Sequence, residues 1–173
     1  MKKSDLKSSE YNQFYSTYVD LVHEDLSILQ ALENGKESVL AFFSAIPDDK
    51  LTYAYAEGKW TILEVLLHII DTERVFQYRA VCIARNDKTP FPGFDQDNYI
   101  APSQANKRSL KSLLDEYAAV RESSIHLFKN LPADGLLNLG EASNHTLSAR
   151  AAGFIIAGHE LHHIKITKER YLN

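Results

Sequence analysis

Several histidines lie close together near the C-terminus, at a spacing that suits metal ligands. His159, Glu160 and His163 spell HExxH in the stretch GHELHHIKI, a pattern that in zinc peptidases puts two histidine ligands and a general base on one helix. His159 and His163 are four residues apart, so they share a helix face. His162 is turned by about 100° from His163 and is expected to be partly exposed or to lie behind the ligands.

A third histidine, His68, lies in the stretch EVLLHIID on the inward stripe of another predicted helix. It is about seven residues from that helix's start, and His163 is about seven residues from the end of the last helix, so antiparallel packing puts them level. A lone buried histidine is more often a hydrogen-bonded core residue than a ligand. Three buried histidines at the same level along the bundle would leave several ring nitrogens without a hydrogen-bond partner unless a cation bound them. We therefore predict a divalent metal ion on His68, His159 and His163, with zinc or nickel ahead of iron or manganese.

A peptidase is disfavoured even though HExxH is present. Zinc peptidases need a further ligand beyond the motif and a strand edge on which the peptide lies. Few residues follow His163, and Glu169 points away from the predicted metal face because it is six residues further along the same helix. Glu160 lies about 100° from His159 and is expected to face solvent or a neighbouring helix.

Four helices must position these histidines. Their periodic apolar residues and capping signals predict helices over Glu24–Ile46, from Thr61 to about Arg85, from Ser109 to just before Pro132, and from Ser148 almost to the C-terminus. The clearest start is Thr61, where Glu64 completes a capping box and Trp60 can pack onto Val65.

No stretch shows the alternation typical of strands, so the predicted fold is all-α: a four-helix bundle in up-down-down-up order. The connection over residues 86–108 is long enough to cross the bundle and make the second and fourth helices antiparallel. Residues 1–173 are expected to form a single domain, with 1–22 as an N-terminal arm that packs on the bundle.

The amino-acid composition limits the classes of binding partner and the location that we expect. Nineteen basic and 23 acidic residues give a net charge of -4 without a basic stripe, which argues against nucleic acid. No apolar run is long enough to span a membrane, and the N-terminus carries no apolar signal segment. The single cysteine, Cys82, excludes a disulfide within the chain, is expected to fill the core, and favours a reducing, cytoplasmic location.

The stretch GKWTILEVLLHIIDTERVF and the later GHELHHIKI resemble the DinB-like superfamily of metal-binding four-helix bundles. The resemblance covers roughly residues 24–170. It implies the up-down-down-up order, a divalent metal on the three histidines that match the family motif, and a homodimer. It also implies a metal-dependent hydrolase or a transferase of low-molecular-weight thiols, acting on a small-molecule substrate.

Catalytic groups beyond the metal ligands stay open at this stage. Glu64 and Asp71 lie one turn on either side of His68 and are weak candidates for orienting an imidazole or moving a proton, as is Glu160. Arg79 extends the same stripe and is expected to meet either an anionic group or an acidic side chain of the third helix.

Two further expectations concern the loop and the function. Phe94 and Tyr99 in the long connection are expected to wall the mouth of the pocket or to anchor that connection. The alternatives to an enzyme are a metal-binding module without chemistry and a structural dimeric helical bundle.

Overall fold

The computed structural model describes residues 1–172, so Asn173, the last residue of the predicted domain, lies outside it. Four long helices form the bundle: α2 (Ile28–Ser44), α3 (Ile62–Ala84), α5 (Leu110–Asn130) and α7 (Ala149–Arg170). Three short ones are α1 (Ser16–Val19), α4 (Asp97–Ser103) and α6 (Ala133–Leu137). Turns of 3-10 helix occupy Lys3–Asp5, Ser8–Glu10, Gln13–Tyr15, Asp48–Lys50 and Ala105–Lys107. Among residues 1–172, the helices are too short or too polar to cross a membrane.

Side-chain caps fix the start of each long helix. Ser27, Thr61, Ser109 and Ser148 each accept a hydrogen bond from the backbone N–H three residues later. Three of these starts agree with the predicted ones. The first helix is shorter than the predicted Glu24–Ile46, because the capping box of Ser27 and Gln30 begins it four residues later than Glu24.

The prediction of a fold without strands is wrong in one place. β1 (Leu139–Ala142) and β2 (His145–Ser148) form an antiparallel hairpin just before α7. Its two-residue turn places Ser143 at φ 53° and Asn144 at φ 63°, the left-handed conformations of a type I′ turn. Each strand has only four residues and alternates poorly, so the periodicity that marks longer strands is missing. The protein is therefore a mostly helical four-helix bundle with a small hairpin.

The hairpin and the N-terminal segment both pack on the bundle. Phe91 in the long connection pairs with Ala142 of β1, and α1 packs on α7. An ion pair between Glu10 and Arg150 also joins the N-terminal segment to α7. Cys82 is half-buried at the edge of the core, so the expectation that it fills the core holds only in part.

A layer of polar side chains separates two apolar clusters along the bundle. One cluster contains Phe43, Leu66 and Leu113, and the other contains Phe76 and Phe154. The buried polar residues between them along the long helices are His68, Thr72, Glu73, Arg121, His159 and Glu160. The bundle thus has a polar middle that must satisfy its own hydrogen bonds.

Arg121 of α5 joins all four long helices within this layer. Its guanidinium donates to both carboxylate oxygens of Glu73 on α3 at 2.8 Å, to those of Glu160 on α7 at 2.9 and 2.6 Å, and to the carbonyl of Leu32 on α2 at 3.0 Å. Tyr117 donates a further hydrogen bond to Glu160. Each of the five N–H groups of the guanidinium therefore has an acceptor.

We expect Arg121→Met to destabilise the fold by about 3–5 kcal/mol, because it leaves two buried carboxylates without their cation. Burial already raises the pKa of Glu160, and Arg121 opposes that shift. Without Arg121 the folded state takes up protons more readily than the unfolded state, so the loss should shrink as the pH falls from 8 to 5. Urea unfolding at several pH values measures both effects.

Arg74→Met is the matched control, since Arg74 forms ion pairs with Asp71 and Glu116 at the surface. It should cost no more than about 1 kcal/mol. Equal losses for Arg121→Met and Arg74→Met would contradict a structural role for the buried cluster.

Gly35 on α2 gives a second test of the polar layer. A Cβ added there would lie 1.7 Å from Oε1 of Glu160 and 2.9 Å from Nη1 of Arg121. Alanine inside a helix normally stabilises by about 1 kcal/mol relative to glycine, but overpacking should make Gly35→Ala destabilising by about 1–3 kcal/mol. Thermal unfolding measures the change. Gly93→Ala is the control, because an added Cβ there meets only Ser143 at ordinary contact distances.

Candidate metal centre

Three histidines converge between α3 and α7. Nε2 of His159 lies 3.0 Å from Nε2 of His68 and 3.0 Å from Nε2 of His163, and one nitrogen from each ring lies within 4.8 Å of the others. His68 and His159 are each 4 % exposed, and His163 is half-buried. The structure therefore brings together the three residues that the sequence predicts as ligands.

The geometry suits a cation better than a set of hydrogen bonds. Nε2 of a neutral imidazole carries either one proton or one lone pair, so His159 can make a good hydrogen bond to only one of its two neighbours. A tetrahedral ion with metal–nitrogen distances of about 2.0–2.1 Å holds its ligand nitrogens about 3.3 Å apart. The two distances from Nε2 of His159, 3.0 Å each, are close to that value, the ligand atoms of all three rings lie within 4.8 Å of one another, and a divalent cation would satisfy all of them.

Burial also gives the imidazoles the protonation state that a metal needs. It lowers the pKa of His68 to about 4, and burial together with the neighbouring histidines lowers the pKa values of His159 and His163 well below the usual range. The three rings are therefore neutral near pH 7, and neutral imidazole is the ligating form.

Surrounding side chains hold the rings in place. Oγ1 of Thr72 lies 3.5 Å from Nδ1 of His68, one turn along α3, where it can orient the ring. The Trp60 ring packs against His68 at 4.7 Å. The Tyr18 ring packs edge-on against His159 at 5.1 Å and also contacts His162.

Close packing of α1 on α7 explains the position of Tyr18. A Cβ at Gly158 would lie 2.1 Å from the Tyr18 carbonyl oxygen, so only glycine allows this approach. His162 is half-buried and is not one of the three clustered histidines, as predicted from its offset.

Two cavities adjoin the histidine cluster. The first, of about 340 Å³, is lined by His159 together with Tyr15, Tyr18, Phe76, Phe94 and Ser143. The second, of about 530 Å³, is lined by His163 together with Trp60, Glu64, Asp97 and Tyr171. A ligand can therefore approach the cluster from an aromatic side and from a more polar side.

The candidate acids are engaged elsewhere. Glu64 accepts hydrogen bonds from the backbone N–H of Thr61 and from Asn106, as its predicted capping role requires, although it also lines the second cavity. Asp71 is half-buried and pairs with Arg74; burial raises its pKa, and Arg74 opposes that shift. Neither belongs to the histidine cluster.

For Glu160 and Arg79 the structure excludes one of the two alternatives that the sequence left open for each. Glu160 is fully buried and faces the neighbouring helix α5 rather than solvent. Arg79 does not pair with an acid of the third helix; its Nη2 donates to the Pro92 carbonyl at 2.7 Å and contacts the Ser143 hydroxyl at 3.4 Å.

The long connection contributes an aromatic wall, as expected for Phe94, which lines the first cavity. Tyr99 lies on α4, is 46 % exposed, and packs against Phe94. Sequence reasoning missed Thr72, Tyr18 and Ser143. Thr72 is four residues after His68, so i, i+4 spacing could have identified it, whereas Tyr18 and Ser143 reach the site only through tertiary packing.

Comparisons with known proteins agree with this architecture. YfiT from Bacillus subtilis, described as "a probable metal-dependent hydrolase with an unusual four-helix bundle topology", superposes with a TM-score of 0.72 at 15 % identity, over 89 % of this chain and 97 % of YfiT. A mycothiol-dependent maleylpyruvate isomerase superposes with a TM-score of 0.65 at 11 % identity, over 84 % of this chain and 61 % of the isomerase. These likenesses show the fold.

Sequence similarity gives the family. The chain is 24 % identical over 151 residues to "Putative metal-dependent hydrolase OB0413" of Oceanobacillus iheyensis, covering 84 % of this chain and 83 % of that protein. The family model for the DinB superfamily matches residues 31–166. That range contains all three clustered histidines and most of the bundle, and the chain therefore belongs to the DinB superfamily.

Proposed function

We propose that this protein is a divalent-metal-dependent enzyme, of hydrolase type or of low-molecular-weight-thiol transferase type, that acts on a small molecule. The convergence of three neutral imidazoles beside two cavities is the observation that carries the proposal. His68, His159 and His163 would hold the ion. The proposed ion is zinc or nickel, with iron or manganese as the alternatives, because imidazole suits all of these metals.

Three protein ligands leave at least one position open for water or substrate. When bound, the ion supplies Lewis acidity, which lowers the pKa of a water or thiol at that position. The protein's own part is to orient and to exclude water. Thr72 would fix the His68 ring, and Tyr18 and Trp60 would restrict the His159 and His68 rings, so the three nitrogens stay convergent.

Peptide hydrolysis of the HExxH type is not what we propose. In that chemistry the glutamate of the motif acts as the general base beside the metal. Both carboxylate oxygens of Glu160 are occupied by Arg121, and one also accepts from Tyr117. Here Glu160 serves the fold instead.

Several observations bear on the remaining alternatives and on the architecture. The two cavities beside the histidines favour an enzyme over a metal-binding module without chemistry. Tyr171 at the end of α7 bonds to Trp60 at the start of α3, and Thr61 at that start bonds to Asn106 just before α5, so antiparallel α3 and α7 and parallel α3 and α5 support the up-down-down-up order. Three further statements stay predictions: a single domain over residues 1–173, a cytoplasmic location and a homodimer. Analytical ultracentrifugation would test the homodimer.

Metal content tests the site. Protein purified without an affinity histidine tag should contain about one divalent ion per chain by elemental mass spectrometry, since three convergent imidazoles with an open position form a typical site. His68→Ala, His159→Ala and His163→Ala should each fall below about a tenth of an ion. His162→Ala is the matched control on the same helix and should keep the wild-type content.

Thermal unfolding adds a second readout. At a hundredfold excess of metal over its Kd, binding stabilises the fold by about 2.7 kcal/mol. A chelator should therefore lower the unfolding free energy of the wild type by that amount and leave that of His159→Ala unchanged. If metal content and melting temperature stay at wild-type values in all three variants, the proposed metal site is wrong.

The choice of nucleophile is testable separately. Metal-loaded protein would be assayed with nitrophenyl esters, and with an electrophilic chloronitrobenzene in the presence of cysteine or mycothiol. A hydrolase should release nitrophenol without added thiol, whereas a thiol transferase should act only when thiol is present. Loss of either activity in His163→Ala, with His162→Ala unaffected, would tie that activity to the cluster; absence of both would leave the metal-binding alternative.

A further inference from the structure

Among residues 1–172, three arginines are buried, and one of them lacks an acidic partner. Arg121 is held by Glu73 and Glu160, and Arg150 is held by Glu10. Arg79 is only 2 % exposed, yet it forms no ion pair within that part of the chain. Since a buried charge is costly unless it is paired, the Arg79 guanidinium needs an explanation.

The surroundings of Arg79 satisfy it only in part. Nη2 uses the Pro92 carbonyl and the Ser143 hydroxyl, but Nη1 is buried and forms no hydrogen bond to any residue that the structure describes. The guanidinium carbon lies 5.2 Å from the Phe76 ring centre and 5.7 Å from that of Phe94. Burial lowers the pKa of Arg79, and the Tyr15 hydroxyl, which interacts with the guanidinium without forming a hydrogen bond to Nη1, opposes the shift; an arginine stays charged there.

These neighbours are also the wall of the first cavity. Phe76, Phe94, Ser143 and Tyr15 all line the same 340 Å³ space that His159 lines. Arg79 follows Thr72, another residue of that lining, by seven positions on α3, which is about 10 Å along the helix axis. Arg79 itself does not line the cavity. Its incompletely bonded guanidinium lies directly behind the part of the wall that Phe76, Phe94 and Ser143 form, in the same cavity that His159 lines.

We propose that Arg79 binds the carboxylate of a substrate that occupies the first cavity, with an apolar body that lies against Phe76 and Phe94. The substrate's reacting group then faces the histidine cluster through His159, which lines the same cavity. Nη1 supplies the hydrogen bond that the protein itself leaves unused, and a guanidinium matches the planar carboxylate. This inference rests on the proposed function only for the statement that the ligand is the substrate.

A monoanion fits this cavity better than a dianion such as a phosphate monoester. Arg79 provides one positive charge, the other walls are aromatic or neutral, and the whole chain carries a net charge of -4. A second negative charge would be buried without a partner. Access requires movement of Phe94, a half-buried side chain of the long connection that covers the guanidinium.

Calorimetry on the metal-loaded protein tests the proposal with a matched pair of probes. 4-Phenylbutyrate and its neutral amide have the same aromatic body and the same length and differ in charge. The wild type should bind the carboxylate at least tenfold more tightly than the amide. Arg79→Gln should weaken carboxylate binding at least tenfold and change amide binding less than twofold, because a charge-assisted hydrogen bond is lost and the apolar walls remain.

His68→Ala separates this site from the metal. If Arg79 holds the carboxylate, His68→Ala still prefers 4-phenylbutyrate to the amide at least tenfold, even when metal content is lost. Carboxylate binding that disappears in His68→Ala but stays within twofold of wild type in Arg79→Gln places the anion on the metal and overturns the proposal. The metal-content measurement stands independently, so each hypothesis can fail alone.

Arginine labelled with ¹⁵N provides a readout in the wild-type protein, and a variant is needed only to assign the resonance. In the wild-type protein 4-phenylbutyrate should shift one buried guanidinium resonance, while the amide leaves it unchanged. Arg79→Lys identifies that resonance by its absence. A wild type that binds both probes equally, or in which the carboxylate moves no guanidinium signal, overturns the proposal.

Discussion

The ion cluster around Arg121 is the constraint on which the arrangement of the bundle depends. One side chain bonds to residues from α2, α3 and α7 while it is anchored on α5, so the four long helices can satisfy it in one register only. Apolar contacts tolerate sliding and repacking, but a buried guanidinium that loses one acceptor does not. We infer that this cluster contributes more to the specificity of the packing than to its strength, because replacing buried ion pairs by apolar residues is often neutral in energy.

The same register aligns the histidines. Glu73 follows His68 by five residues on α3, and Glu160 follows His159 directly on α7, so the helices that Arg121 clamps through those carboxylates also present the imidazoles. The two apolar clusters above and below exclude water from this layer, which is why burial lowers the histidine pKa values. Burying polar side chains in the middle of a core costs free energy. Here the polar layer contains both the ion cluster around Arg121 and the candidate metal site.

Features that depend on neighbouring residues could be predicted from the sequence, whereas contacts between distant residues could not. Caps such as those at Thr61 and Ser148 act within three residues, so the helix starts were predictable, and i, i+4 spacing placed His159 and His163 on one face. The depth of His68 followed from helix length. The partners of Arg121 and Arg79, by contrast, are separated from them along the chain, and charge alone does not say which residue a buried arginine meets. The hairpin was missed because its turn, at Ser143 and Asn144, contains no glycine to mark it.

The fate of Glu160 shows why a motif does not determine a reaction. HExxH places two imidazoles on one face of α7 and turns the glutamate about 100° away. In this bundle the direction of that turn is occupied by α5, where Arg121 and Tyr117 take both carboxylate oxygens. The third histidine of the cluster comes from α3 rather than from a later segment of chain, and the cluster adjoins cavities instead of a strand edge. The same five letters therefore fit the proposed small-molecule metal site, in which the polar groups lining the two cavities would select the substrate.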